Sequence, residues 1–181
     1  LASNTLALEL YYGWRGLLIE PILPVFQKLK KNRNGRRNAI LRLACVSPTY
    51  SEKTVSMIYS DLMSVAMGLD SDIENPWEHA RAGQQFLKSG DSIRVESVPA
   101  ATMTVALERA NAPRKIELLS LDVEGSEMEV LRGIDFEKYK IAWLLVEARD
   151  VPRISSFLSR FNYELHSTLS GGDSLFRLMS R

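Results

Sequence analysis

The stretch Ile116-Glu117-Leu118-Leu119-Ser120-Leu121-Asp122-Val123-Glu124-Gly125 decides the fold class of this chain. An apolar run of strand length ends there in two carboxylates and a glycine, and residues 126–132 then have the pattern of a helix. In an open α/β sheet, ligands bind beyond the carboxyl ends of the strands. Because Asp122 and Glu124 are two positions apart, they point to the same face wherever the strand continues. We therefore expect both acids at a ligand-binding crevice.

A structural role is the alternative for both acids. Asp is a favoured residue at the N-terminus of a helix, so Asp122 has an alternative interpretation as the cap of the helix that follows. Glu124 is equally open to interpretation as an ordinary surface acid. We keep Asp122 and Glu124 as the candidate catalytic residues, with these structural roles as the alternative.

Length and composition limit the classes of protein to which the chain can belong. Its 181 residues suffice for one domain with a hydrophobic core, and 45% apolar residues is ordinary for a globular protein. The formal charge of +1 gives no reason to expect nucleic acid or an acidic membrane surface as a partner. No apolar run reaches the roughly 20 residues that cross a bilayer. The single cysteine, Cys45, suits a reducing, cytoplasmic location, and a homo-oligomer stays open.

Two more apolar runs end in acids, Glu20 and Glu147, and each is followed by a helical pattern. This alternation of strands and helices predicts a mostly parallel sheet with helices on both faces. The last two strands, at 163–167 and 174–178, are separated by a Gly-Gly-Asp turn, which favours an antiparallel pair. The sequence thus predicts an α/β fold in one domain.

Residues 68–90 are the least patterned part of the chain, and we predict a long loop there. A loop of this length in a compact domain is usually functional or poorly ordered. It contains His79, a third candidate for a catalytic base, whose favoured interpretation is an exposed loop imidazole. His166, in a predicted late strand, is interpreted as structural.

Glu20 is the candidate for binding a cofactor ribose. A carboxylate at the end of a sheet strand can accept two hydrogen bonds from a ribose diol, as in dinucleotide-binding folds. A nicotinamide cofactor and S-adenosylmethionine both present this diol, so Glu20 alone fits either; the alternative is a surface acid. Two acids, Asp122 and Glu124, could hold a metal ion, but the sequence shows no other clear ligands beside them. We therefore predict no metal site.

Five blocks of local sequence, spread over most of the chain, follow the order of one known family. They are Ser3-Asn4-Thr5-Leu6-Ala7-Leu8-Glu9, Gly13-Trp14-Arg15-Gly16-Leu17-Leu18-Ile19-Glu20-Pro21, Leu119-Ser120-Leu121-Asp122-Val123-Glu124-Gly125-Ser126-Glu127, Glu129-Val130-Leu131-Arg132-Gly133-Ile134-Asp135-Phe136 and Leu144-Leu145-Val146-Glu147. These blocks resemble the FkbM family of S-adenosylmethionine-dependent methyltransferases. The Asp-Val-Glu-Gly-Ser-Glu block is the strongest match, and only the middle, about residues 47–98, diverges.

The resemblance implies a Rossmann-like class I methyltransferase fold whose last strand is antiparallel. It implies methyl transfer from S-adenosyl-L-methionine to an oxygen, typically a hydroxyl of a sugar or other secondary metabolite. It also implies that Glu20 binds the cofactor ribose, that the strand end at 45–46 lies near the adenine, and that Asp122 lies beside the methionine end. The implied cofactor-binding residues are Ser3, Asn4, Glu20, Pro21, Cys45, Val46 and Asp122.

Methyl transfer to a hydroxyl depends mainly on positioning, and it gains further from a general base within hydrogen-bond reach. Asp122 and Glu124 are the candidates for that base. Two other function classes stay open. One is an NAD-dependent oxidoreductase, which would use Glu20 on the ribose in the same way. The other is a non-catalytic remnant of the fold that acts as a binding module.

The family pattern also includes a strand and a glycine-containing loop, of the Asp-x-Gly-x-x-x-Gly type, before the first helix. Leu1 lies where that loop should be ending. We therefore expect residues 1–181 to be a single methyltransferase domain that lacks its first strand and glycine-rich loop. Because that strand is expected at the centre of the sheet, its absence would leave a gap with unpaired backbone. We expect little methyl transfer by such a fragment alone.

Overall fold

A computed structural model describes the chain over residues 3–33, 38–169 and 172–179. The helices in these ranges are α1 (Leu6–Tyr12), α2 (Leu23–Asn32), α3 (Pro76–Ala82), α4 (Met103–Arg109), α5 (Glu127–Arg132) and α6 (Val151–Ser159). The strands are β1 (Leu17–Ile19), β2 (Ala39–Leu41), β3 (Ala44–Cys45), β4 (Thr54–Tyr59), β5 (Val65–Ala66), β6 (Arg94–Ala101), β7 (Lys115–Leu121), β8 (Lys140–Glu147), β9 (Tyr163–Thr168) and β10 (Asp173–Leu178). Short 3-10 helices lie at Asp61–Met63 and Gly83–Phe86. The α/β class is confirmed.

Several helix ends follow from local sequence. Gly13 ends α1 in the left-handed conformation (φ 68°), which glycine adopts without steric cost. The Thr102 side chain caps α4 by accepting a hydrogen bond from the Val105 N–H. Asp150 caps α6 in the same way, accepting from the Arg153 N–H over 3.0 Å. These caps lie where the sequence pattern changes from strand to helix.

The C-terminal half of the chain forms a four-stranded sheet in the order β7-β8-β10-β9. β7 and β8 are parallel, with Leu121 opposite Val146, so their carboxyl ends meet at one edge. β10 is antiparallel to both β8 and β9, which confirms the predicted antiparallel last strand. Part of the Gly-Gly-Asp turn predicted before β10 lies outside the described residues.

The prediction of a mostly parallel sheet is wrong. The other described strands form a four-stranded sheet, β3-β6-β4-β5, and a separate parallel pair, β1-β2. β4 is antiparallel to both of its neighbours, so three of the seven strand pairings are parallel and four are antiparallel. The short connections from β4 to β5 and from β9 to β10 explain much of the difference, because parallel strands need a crossover of a dozen or more residues.

The main core lies between the C-terminal sheet and helices α4, α5 and α6. Leu144 and Phe176 of the sheet are fully buried, as are Leu131 of α5 and Leu158 of α6. Each such side chain contributes roughly 1.5–3 kcal/mol of hydrophobic stabilisation. This packing holds the carboxyl ends of β7 and β8 in place. No helix in the described ranges is long and apolar enough to span a membrane.

A cavity of about 390 Å³ separates β1 from β7. Within the described ranges, β1 pairs with β2 alone and β7 pairs with β8 alone, so each strand has one unpaired edge. Leu17 and Ile19 of β1 line the cavity, and so do Leu119 and Leu121 of β7. The space is therefore bounded by two strands that do not contact each other through their backbones.

Candidate active site

The cavity between β1 and β7 gathers acids from the ends of both strands. Its lining includes Glu20 and Pro21 after β1, Cys45 of β3, and Asp122 and Glu124 after β7. The sequence predicts each of these five as a site residue, and the tertiary structure brings them around one space. One cavity is thus lined by Glu20, the candidate for binding the ribose, and by the catalytic candidates Asp122 and Glu124.

Three other predicted site residues surround the cavity without lining it. The Asn4 amide donates a hydrogen bond to the hydroxyl of Ser120, a lining residue, over 3.3 Å. The hydroxyl of Ser3 instead accepts from the Arg33 guanidinium over 3.2 Å. Val46 is 3% exposed and packs in the core beside β4 and β6. Asn4 thus touches the cavity wall through Ser120, and Val46 directly follows the lining residue Cys45.

Glu20 is a buried carboxyl with one oxygen already in use. Its Oε1 accepts a hydrogen bond from the Ile22 N–H over 2.8 Å. Burial raises the pKa of Glu20 to about 7, the nearby Glu96 adds to this rise, and the Ile22 hydrogen bond opposes it. Glu20 therefore gains its full charge only above neutral pH, or when a bound group stabilises the carboxylate.

The turn after β7 has an unusual backbone. Glu124 and Gly125 both have positive φ, 53° and 91°. The left-handed conformation costs a non-glycine residue roughly 1–2 kcal/mol. Glu127, 3% exposed, stabilises this turn because its Oε1 accepts hydrogen bonds from the N–H groups of Val123 and Gly125, each over 3.2 Å. Sequence reasoning missed Glu127, although its place at the start of a helix is typical of an acid that binds backbone N–H groups.

Asp122 is hydrogen-bonded to Glu147, a residue that sequence reasoning noted as a strand-end acid without a role. The parallel register pairs Leu121 with Val146, so Asp122 and Glu147 come next to each other on adjacent strands. Burial, the charge of Asp122 and the hydrogen bond with Asp122 raise the pKa of Glu147 to about 7. Glu147 therefore keeps its proton to a higher pH than an ordinary carboxyl does, and the protonated form can donate to Asp122.

Glu124 is the second acid of the turn, and its side chain is 24% exposed. Burial raises its pKa, the charge of Asp122 raises it further, and Arg149 opposes the rise. The carboxylate oxygen Oε2 lies 3.0 Å from Nε2 of His79 and 3.8 Å from Nη2 of Arg149. A carboxylate with a raised pKa that reaches a cavity is a suitable general base near neutral pH.

His79 lies in a helix with most of its side chain covered, so its interpretation as an exposed loop imidazole is wrong. It lies in α3, and its side chain is 11% exposed. Burial lowers the pKa of His79, Arg149 lowers it further, and Asp72 opposes this. The imidazole is therefore neutral at pH 7. His166, by contrast, stacks edge-on against Trp143 on the C-terminal sheet, with ring centroids 5.1 Å apart.

The predicted loop at 68–90 contains α3 and the 3-10 helix Gly83–Phe86, and its first part is held at the site by ion pairs. We call residues 69–75 the anchoring segment. Asp70 contacts Arg132 of α5 at 2.6 Å and Arg153 of α6 at 2.5 Å. Asp72 contacts Arg149 at 3.2 Å. The sequence shows these acids but not their partners, because Asp70 and Arg153 are 83 positions apart.

The arrangement supplies what a proton-transfer site needs: a cavity, two carboxylates on one turn, and neighbours that set their protonation. Across the parts of the chain that the structure describes, no group of three or more His, Cys, Asp or Glu side chains is placed to hold a metal ion.

The comparisons with known proteins agree with this geometry. No curated protein and no solved structure matches the chain significantly. The family model of the methyltransferase FkbM domain matches residues 2–165, which include α1 to β8 and all the acids of the cavity. This confirms the resemblance that the sequence blocks indicate. The chain belongs to the FkbM methyltransferase family, and the protein is a methyltransferase.

Proposed function

We propose that the protein transfers a methyl group from S-adenosyl-L-methionine to a hydroxyl of a sugar or other secondary metabolite, in a Rossmann-like domain with helices on both faces. The supporting observation is the single cavity whose lining includes Glu20 after β1 and Asp122 and Glu124 after β7. A cytoplasmic location stays a prediction, because it rests on the one cysteine in the sequence.

The residues around the cavity have the chemistry that S-adenosylmethionine requires. Glu20 would accept hydrogen bonds from the ribose diol, and Pro21 with Cys45 offers an apolar surface for the adenine. Asp122 would hold the positively charged methionine end, and the Glu147 hydrogen bond keeps it oriented. When bound, the cofactor supplies a sulfonium methyl whose transfer leaves a neutral thioether.

The chain itself would position the acceptor and take its proton. We assign Glu124 as the general base, with Asp122 as the other candidate. As the acceptor oxygen gains the methyl group, its proton moves to the carboxylate, so the charges balance. General bases of this kind contribute about 10²–10⁴-fold to the rate. Positioning within the cavity would supply much of the remaining acceleration.

The proposal includes a further strand between β1 and β7. Its support is that β1 and β7 each have one unpaired edge within the described ranges and that Leu17, Ile19 and Leu119 of these strands line the same cavity. Such a strand would complete the single methyltransferase sheet and carry the glycine-containing loop toward the cofactor. Amide hydrogen exchange tests this idea. The backbone amides at the unpaired edge of β7 should exchange fast with solvent. Once a further strand pairs with that edge, the same amides should exchange more slowly.

Calorimetric titration with S-adenosylmethionine, and separately with NAD, tests the cofactor. We expect binding of S-adenosylmethionine and none of NAD. Replacing Glu20 by Ala removes the hydrogen bonds to the ribose and should weaken binding about tenfold to a hundredfold. Glu117→Ala is the matched control, since Glu117 is an exposed acid on β7 and does not line the cavity.

The same titrations discriminate the other function classes. Binding of NAD instead of S-adenosylmethionine would support an oxidoreductase. Binding of neither ligand by a folded protein would support a non-catalytic binding module. Equal affinities of the Glu20→Ala and Glu117→Ala proteins for S-adenosylmethionine would remove Glu20 from the cofactor site.

A further inference from the structure

His79 contacts Glu124, one of the residues that line the cavity. Glu124 lines the cavity, whereas His79 does not. The side chains meet through Nε2 of His79 and Oε2 of Glu124, 3.0 Å apart. Glu124 thus reaches the cavity lining while its Oε2 oxygen lies against His79.

The Nε2 atom of His79 has no hydrogen-bond partner among the residues that the structure describes. Nε2 is shut off from solvent, and no described residue forms an aligned hydrogen bond with it. Buried polar atoms without a partner are rare, because leaving one unpaired is costly. The carboxylate oxygen Oε2 of Glu124 lies within hydrogen-bond distance of Nε2, at 3.0 Å. The neutral tautomer with its proton on Nε2 is the form that can donate to the carboxylate.

The backbone around His79 is fixed by contacts within the middle of the chain. Ala80, the next residue, is fully buried against Ile58 and Val65. Its carbonyl oxygen accepts a hydrogen bond from the Ser60 hydroxyl over 2.5 Å. The Asn75 side chain caps the start of α3. The position of the imidazole therefore follows from the packing of α3 and does not depend on its contact with Glu124.

We propose that His79 is a positioning residue that holds the Glu124 carboxylate in the orientation from which it accepts the proton of the acceptor hydroxyl. His79 donates to Oε2, and Oε1 takes the proton from the hydroxyl as the methyl group is transferred. The inference rests on the proposed function, because it requires a hydroxyl acceptor. It accounts for a buried histidine in the segment that the sequence pattern left without a role.

Several charged groups face this pair and set its protonation. They are Asp72 of the anchoring segment, Asp122 after β7, Glu147 at the end of β8 and Arg149 after β8. Arg149 stabilises the ionised form of Glu124 and the neutral form of His79, so it favours the state in which the imidazole donates to the carboxylate.

Nitrogen-15 NMR of the histidine rings tests the contact directly, because the chain has two histidines. A His166→Gln protein assigns the two signals. We expect the proton of His79 on Nε2. We also expect Glu124→Gln to lower the pKa of His79 by about half a unit or more, since the imidazolium loses a neighbouring anion. Glu117→Gln is the control and should leave it unchanged.

Kinetics then test the role. The kinetics use a protein that also carries the further strand and glycine-containing loop proposed above. With S-adenosylmethionine and a set of methyl hexopyranosides as acceptors, His79→Leu should lower kcat at least about tenfold and shift its pH profile. KM for S-adenosylmethionine should stay unchanged. His79→Gln keeps an N–H donor and should recover most of the rate. Thermal unfolding checks that both variants fold.

The outcomes separate this inference from the proposed function. A proton on Nδ1, or a pKa of His79 that does not respond to Glu124→Gln, would overturn the inference even if the protein binds S-adenosylmethionine. If His79→Leu does not fold, the NMR titrations of the wild type and of Glu124→Gln still decide it. Absence of binding to S-adenosylmethionine, or of transfer to every hydroxyl acceptor, would contradict the proposed function instead.

Discussion

The backbone N–H of Asp72 donates a hydrogen bond to the carbonyl oxygen of Gly125 over 3.0 Å. This contact joins the anchoring segment to the turn that carries Glu124. The approach is close, since a Cβ atom on Gly125 would lie 2.7 Å from a carboxylate oxygen of Asp72. The divergent middle of the chain thus contributes directly to the geometry of the turn that carries Glu124.

Replacing Gly125 by Ala should destabilise the protein by about 2–4 kcal/mol. Its φ of 91° strains any side chain, and the new methyl group would clash with residues 71–73. Urea unfolding measures the loss. Gly90→Ala is the matched control, because Gly90 has the same φ but open space at its Cβ position. It should cost only about 1–2 kcal/mol. Equal losses would show that the contact with the anchoring segment adds nothing.

Replacing Asp70 by Asn should reduce stability by about 1 kcal/mol at neutral pH, because it removes the charge that binds Arg153 and Arg132. Arg153 and then Arg132 hold the pKa of Asp70 below its usual range, although burial opposes them. The stabilisation is therefore present above the unfolded pKa, roughly 4, and is lost as the pH falls through the lower folded value.

Urea unfolding of the wild type and of Asp70→Asn over this acid range measures the effect. The difference between the two proteins should shrink as the pH falls below about 4. Glu137→Gln is the control, since Glu137 pairs with Lys140 on the exposed surface. It should change the unfolding free energy by less than about 0.5 kcal/mol. A constant difference for Asp70→Asn at all pH values would argue against the ion pairs.

Replacing Glu147 by Gln should change how stability depends on pH. The pKa of Glu147 is raised to about 7, so the folded state holds this proton more tightly than the unfolded chain does. The stability that this proton contributes to the wild type is therefore lost as the pH rises from roughly 4, the usual pKa of a carboxyl group, through about 7. Gln keeps a hydrogen-bond donor to Asp122 and does not titrate.

We accordingly expect Glu147→Gln to be more stable than the wild type at about pH 8, with a smaller difference at about pH 5. Chemical unfolding at both pH values measures this. The exposed Glu117→Gln is the control and should behave like the wild type. A Glu147→Gln protein that is less stable at the higher pH would mean that Glu147 is ionised beside Asp122.

In a protein that also carries the further strand and glycine-containing loop proposed above, replacing Asp122 by Ala should lower methyl transfer at least about tenfold, either through loss of a base or through a misplaced cofactor. Initial rates with S-adenosylmethionine and hydroxylated acceptors measure the loss. A rise in KM for S-adenosylmethionine would assign Asp122 to cofactor binding, whereas a fall in kcat alone would assign it to proton transfer. Unchanged rates would exclude Asp122 from the mechanism.

Local sequence was sufficient to predict most elements and the main acids. An apolar run that ends in a carboxylate gave β1 with Glu20, β7 with Asp122, and β8 with Glu147. These predictions succeed because a strand end and a following helix cap are local features. The prediction of a mostly parallel sheet fails because the choice of strand partner depends on connections and contacts far apart in the chain.

In the middle of the chain, too, local sequence pattern does not reveal the contacts that form the site. Residues 68–90 have weak periodicity, since α3 is short and buries mainly Ala80. Nothing in that pattern indicates that His79 meets Glu124 or that Asp70 meets Arg153. These pairs are stabilised by charge and burial, and both depend on elements that are remote in sequence.

The sequence by itself determined the α/β class, the family and the strand-end acids, because propensity, capping and local motifs act over a few residues. Only the tertiary structure decided that those acids line one cavity, that burial and Asp122 raise the pKa of Glu147, and that His79 lies against Glu124. The reason is physical. Protonation and orientation are set by burial and by neighbouring charges, and these exist only once distant segments have packed together.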